Sequence, residues 1–235
     1  MANISAPETD RAFFVETVIQ LLESEYGAVR YRPRMDPISE LIGTILSQNT
    51  SDVNSHRAFE SLRQRFKTWE ELPNTDTGSI AEAIREGGLG HIKAGRIQEV
   101  LRRILAERGS LDLGFLRDMP LNEAKAWLRR LPGVGPKTAA IVLCFSLGLP
   151  AMPVDTHVFR VARRLRLVDA RATVEQSHGL LEAMVPAAQV YAFHVLLITH
   201  GRRTCKARRP MCDKCVLGHI CPSHDLFLST GQAGQ

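Results

Sequence analysis

LPGVGPKTAA, residues 131–140, sets two glycines and a proline between two stretches of helical apolar spacing. Gly133-x-Gly135 could open a dinucleotide fingerprint, but that motif needs a preceding strand and a third glycine. Here NEAKAWLRRL (122–131) precedes it with helical spacing, and no third glycine follows. A P-loop is excluded too, because no glycine directly precedes Lys137. What remains is helix, tight glycine hairpin, helix. Glycine tolerates positive φ and lets a ligand approach the backbone closely. Pro136 suits the first turn of the next helix, where its missing N–H costs nothing. The exposed amides of Gly133, Val134 and Gly135, with the dipole of that helix, make an anion site. In a basic protein the natural anion is a DNA phosphate. The alternative is a plain corner between two helices.

Outward from the hairpin the spacing stays helical. FFVETVIQLLESEYG (13–27), PISELIGTIL (37–46), HIKAGRIQEVLRRILAERG (91–109) and PKTAAIVLCFSLG (136–148) repeat apolar residues at three and four. THVFRVARRLRL (156–167), SHGLLEAMV (177–185) and QVYAFHVLLITHG (189–201) do the same. Strand-like alternation is nearly absent, so the expected class is all-α. With 235 residues the chain has enough length for one large domain or two smaller ones. The N-terminus has no basic-then-apolar pattern, and no apolar run approaches the roughly 20 residues of a membrane span. The expected location is the cytosol, where thiols stay reduced, and in a bacterium the nucleoid. The tail STGQAGQ after Leu228 is expected to be disordered.

Net charge is +5, and its distribution says more than its sum. Arg202, Arg203, Lys206, Arg208, Arg209 and Lys214 crowd thirteen positions that hold one acid, Asp213. Four of the five cysteines fall in the same region, Cys205, Cys212, Cys215 and Cys221, spaced C-x6-C-x2-C-x5-C. In a reducing compartment such a run reads as a metal centre rather than as disulfides. Zinc sites generally use two close pairs. Only Cys212 and Cys215 form one here, and four thiolates on wider loops favour an iron–sulfur cluster. Cys144, inside an apolar run, reads as a buried structural cysteine. Arg160, Arg163, Arg164 and Arg166 form a second basic group, which as a solvated surface would need no further purpose. In PVDTHVFR (153–160), Asp155 stands where a helix N-cap belongs, and a capping role and a chemical role can coexist. His157 is expected to pack or hydrogen-bond within the first turn.

Together LPGVGPKTA, VDTH and the cysteine run resemble the endonuclease III family of the helix-hairpin-helix DNA glycosylase superfamily, in order and in separation. The resemblance runs from about Phe13 to Cys221. It implies two helical domains flanking a DNA-binding cleft. One is a six-helix barrel with the hairpin, residues 36–148; the other, residues 1–35 and 149–224, carries a [4Fe–4S] cluster; residues 225–235 form a disordered tail. It implies a monomer acting on double-stranded DNA with damaged bases or abasic sites. The implied chemistry is excision of oxidised pyrimidines such as thymine glycol, followed by nicking of the abasic strand. Lys137 aligns with the nucleophile and Asp155 with the essential carboxylate. The cluster would fix KARRPM (206–211) so that residues such as Arg208 and Arg209 meet phosphates. ILSQNTSD (45–52) resembles the loop that enters the duplex, with Gln48 and Asn49 filling the vacated space. GGLGHIKAGRI (87–97) resembles the segment that wedges an apolar residue, here Leu89, between bases. Many family members have a bulkier residue where this chain has Gly90.

Two other readings compete. An adenine- or thymine-mismatch glycosylase would share the hairpin and the cluster, but the adenine-specific enzymes typically lack the hairpin lysine. A non-catalytic iron–sulfur module for DNA binding or redox sensing would need neither Lys137 nor Asp155.

Overall fold

The computed structural model describes residues 8–231. Among them every regular element is helical: α1 (Glu8–Tyr26), α2 (Pro37–Ser47), α3 (Asp52–Arg65), α4 (Thr77–Ala83), α5 (Gly90–Arg108), α6 (Leu121–Arg129), α7 (Pro136–Ile141), α8 (Thr156–Arg164), α9 (Val174–Met184), α10 (Val190–Arg203) and α11 (His224–Gly231). Among the described residues no single helix is long and apolar enough to cross a membrane. The chain divides into two compact units. One is the continuous stretch Arg32–Leu149, and the other combines the chain up to Tyr31 with the chain from Pro150 onward.

In the continuous unit α2 is the central element. Asp36 caps it by accepting from the Ser39 N–H, and Pro37 occupies its first turn. Ile38, Leu41, Ile42, Ile45 and Leu46 are all buried, so apolar residues cover most of its circumference. Burying each such side chain contributes about 1.5–3 kcal/mol. Helix α2 packs against α3, α5 and α7. Helix α5 ends at Gly109, whose φ of +74° is the left-handed stop that glycine allows. Helix α7 widens after Ile141 into a π-helical turn, Val142–Ser146, which seats Cys144 in the core.

In the other unit α1 buries Val15, Val18, Ile19 and Leu22 and packs against α9 and α10. Helix α8 lies on α10. Thr173 and Gln176 close a capping box at the start of α9.

One helix was not foreseen, and two expectations change. Helix α3 lacks an apolar stripe, since it buries only Ser55, Ala58 and Leu62, and its sequence carries little periodic signal. Helix α8 stops at Arg164 rather than at residue 167, because Arg166 turns to φ 54°. The tail expected to be disordered from residue 225 holds α11 through Gly231, with the Phe227 ring 4.3 Å from the Arg164 guanidinium. Residues 232–235 of that tail lie outside the described residues.

Candidate functional site

The hairpin joins α6 to α7. Gly133 sits at φ +73°, whereas Gly135 is extended at φ −88° and ψ −179°. Only the first glycine therefore uses a conformation that other residues avoid, which narrows the expectation for the pair. The N–H groups of Gly133 and Gly135 find no acceptor among the described residues. Val134 is buried and bonds back to Leu131 O at 3.1 Å. Lys137 stands in the first turn of α7, exposed, and its amine has no hydrogen-bond or ion-pair partner among the described residues.

Gln48 was expected to fill space in a duplex. In the structure it lies on the hairpin: its Nε2 donates to Gly133 O at 3.0 Å, and its Oε1 accepts from Arg96 Nη1 at 2.7 Å. The Arg96 side chain lies against Gly133, where a Cβ would overlap it. Asn49, next along, is exposed at φ 53°. Leu89 caps the start of α5 at φ 54° with its side chain 54% exposed, so it is no packing residue. Gly90 has its own reason to be small, since a Cβ there would lie 3.0 Å from the Ala81 carbonyl oxygen.

Asp155 begins α8. Its Oδ1 accepts from the N–H groups of His157 and Val158, at 2.8 and 2.7 Å. Its Oδ2 has no hydrogen bond among the described residues, so the cap leaves one oxygen free. Ala151 to Val154 run buried into this position. His178 holds Met152 O at 2.7 Å and His194 holds Pro153 O at 2.8 Å, while Glu182 accepts from Met152 N–H at 2.9 Å. Sequence reasoning missed these three supports. His157 bonds within its own turn as expected, Nδ1 lying 3.1 Å from Arg160 Nη2.

Cys205, Cys212, Cys215 and Cys221 line one cavity of about 20 Å³, as reduced, half-buried thiols. Among the described residues no three His, Cys, Asp or Glu side chains are grouped to hold a metal ion. Burial pushes the Cys215 thiol up to about 11 and raises Cys212 and Cys221, and negative charge on the neighbouring cysteines adds to each. Thiolates packed this way need positive charge. Arg164 supplies some of it, with Nη1 3.2 Å from Cys205 Sγ. That guanidinium also donates to Lys206 O at 2.8 Å and Ala207 O at 3.1 Å, and Arg160 donates to Cys205 O at 3.0 Å and Gly201 O at 2.8 Å. These two arginines are thus braces for the cysteine loop, not a solvated face. Burial lowers His200 to about 4, so its ring is neutral at pH 7; it sits between the Tyr26 hydroxyl, 3.0 Å from Nδ1, and Cys215 Sγ, 3.6 Å from Nε2. Arg208 and Arg209 are exposed, without partners among the described residues.

An all-helical chain with a glycine hairpin whose amides are open to an anion has the makings of a DNA-binding repair protein, and its relatives agree. Residues 42–187, more than half of the chain, match the HhH-GPD superfamily base excision DNA repair protein family. Endonuclease III of Thermotoga maritima is 34% identical over 192 residues, 82% of this chain and 85% of that one. An Arabidopsis thaliana protein that carries the name of a DNA glycosylase is 41% identical over 162 residues, 69% of this chain but only 55% of that longer relative. The solved structure of a non-covalent endonuclease III–DNA complex superposes with a TM-score of 0.77 at 25% identity, covering 95% of this chain and 99% of that one. The class is that of the DNA glycosylases. The chain belongs to the HhH-GPD superfamily of base excision DNA repair proteins.

Proposed function

We propose that this chain is a bifunctional DNA glycosylase and abasic-site lyase acting on oxidised pyrimidines in double-stranded DNA. The observation that carries the reading is Lys137: an exposed amine, two residues after Gly135, with no partner among the described residues. A surface lysine is common. One placed beside open backbone amides, in a chain of this superfamily, is suited to attack a sugar whose phosphates those amides hold.

A base stacked in a duplex is out of reach and must be flipped out first. The Lys137 amine, as free base, then attacks C1′, and the C1′–N bond breaks as the base leaves with the electron pair and a proton. Opening of the sugar ring gives an iminium between Nζ and C1′. Loss of a C2′ proton forms a C2′–C3′ double bond and expels the 3′ phosphate, and water hydrolyses the imine to release the lysine. The free Oδ2 of Asp155 is a carboxylate oxygen suited to accept a proton or to offset positive charge growing on the sugar, while Oδ1 keeps the carboxylate in place through its cap.

We assign Cys205, Cys212, Cys215 and Cys221 as ligands of a [4Fe–4S] cluster, since four thiols on one cavity with wide loops suit a cubane better than a single ion. When bound, that group supplies four metal–thiolate bonds that stiffen the loop 206–211. Purified protein is expected to be yellow-brown; elemental analysis with one zinc and negligible iron would overturn the assignment. The catalytic assignment is tested on a duplex containing thymine glycol, with borohydride present to trap the imine. Wild-type protein should give a covalent adduct, and Lys137→Gln should bind the duplex and give none. Undiminished trapping by Lys137→Gln would make another amine the nucleophile.

A further inference from the structure

Lys93, on α5, is only 2% exposed, yet its ammonium meets no carboxylate among the described residues. Its Nζ donates three hydrogen bonds: to Leu46 O at the end of α2 (2.7 Å), to Gly87 O (2.8 Å) and to Thr50 Oγ1 (2.5 Å). Thr50 Oγ1 lies 2.5 Å from Gly87 O, which closes the set. An ammonium has three donors, so none is left over. Taking such a charge out of water is costly, by several kcal/mol, and three dipoles offset it only when they are held in place. Burial accordingly lowers the proton affinity of this amine.

The three acceptors come from two segments: the end of α2 with the turn that follows it, and the turn before α5. The first carries Asn49 at φ 53° with an exposed side chain. The other, before α5, carries Gly88 at φ +64° and the exposed Leu89 at φ 54°. Of the four non-glycine residues with left-handed backbone among the described residues, two, Asn49 and Leu89, fall in the segments that Lys93 ties together, and for a leucine that conformation is strain. An exposed leucine held this way gains little from the protein's own core. Its use lies in something that docks.

We propose that Lys93 is a positioning residue that locks these two segments at a fixed spacing, so that Asn49 and Leu89 enter a duplex together when a nucleotide is extruded. The inference rests on the DNA glycosylase reading above. Unstacking a base costs a few kcal/mol, and loops already ordered add little further entropy cost on binding.

The test uses the intact protein and a duplex with 2-aminopurine opposite a tetrahydrofuran abasic analogue, whose fluorescence rises on unstacking. Lys93→Met keeps the apolar stem and removes the ammonium. At saturation it should lose most of the fluorescence rise shown by the wild type, while affinity for undamaged duplex stays the same. On thymine glycol, kcat should fall by about 10-fold to 100-fold with KM little changed, as expected for misplacement rather than weakened binding. Thr50→Val removes only the bridging hydroxyl and should repeat the pattern in weaker form; should Lys93→Met fail to fold, it decides alone. Full fluorescence and full kcat in the folded variants would overturn the proposal, and so would parallel loss of undamaged-duplex binding. Wild-type protein that raises the fluorescence but excises no thymine glycol would overturn the lesion assignment and leave the clasp standing. A wild type that does not raise it would sink the clasp itself.

Discussion

Cys144 shows what burial does to one group. It is 1% exposed, and burial, with the nearby Glu40 carboxylate, pushes its thiol from 9 up to about 12. A folded pKa above the unfolded one means that, between them, the unfolded chain holds fewer protons. Stability should therefore fall as pH rises above about 9, by about 1.4 kcal/mol per unit until pH nears 12. Cys144→Ala should lose stability at pH 7 through the cavity it leaves, yet show a shallower alkaline decline. Denaturant unfolding of both proteins at pH 7 and pH 10 measures this, and identical alkaline slopes would refute it. Cys144 was legible from the sequence because an apolar run surrounds it. Asp155 was legible for a similar reason, since capping is chemistry between near neighbours. His178 and His194 were not, because the carbonyls they hold lie 26 and 41 residues away.

At the hairpin, two glycines that look alike in sequence have different work. Gly133→Ala would put a Cβ into the Arg96 side chain at φ +73°, and the left-handed strain alone costs about 1–2 kcal/mol. Gly135→Ala meets nothing within 4 Å at an ordinary φ, so its stability should shift by no more than about 0.5 kcal/mol. Thermal unfolding should therefore separate the two. A DNA affinity that drops in Gly135→Ala without a change in Tm would mark the close approach of phosphate. Comparable Tm losses in both would refute the distinction. The helix–turn–helix order could be read directly, as could α2 and α5, whose apolar spacing is dense. Helix α3 could not, since three small or apolar buried side chains among fourteen residues leave hardly any period to detect. The ties from Gln48 and Arg96 to Gly133 were equally invisible, because they join segments 85 and 37 residues apart only after folding.

The net charge of +5 is not one surface. Arg160 and Arg164 turn inward to the cysteine loop, which leaves Arg208 and Arg209 as open cations at its tip. Replacing both by alanine should weaken damaged and undamaged duplex binding alike. The salt slope should drop by about 0.9 for each phosphate that is no longer neutralised. Selective loss of lesion binding with an unchanged slope would contradict that role. The division of the chain has a further consequence, for the ribosome. Helix α1 is made first, but its packing partners α9 and α10 come more than 140 residues later, with all of Arg32–Leu149 in between. At about 5–20 residues per second, the apolar face of Val15, Val18, Ile19 and Leu22 waits on the order of 10–30 s. During that interval the continuous unit is free to fold, while the amino-terminal helix remains a hydrophobic ligand for whatever guards nascent chains.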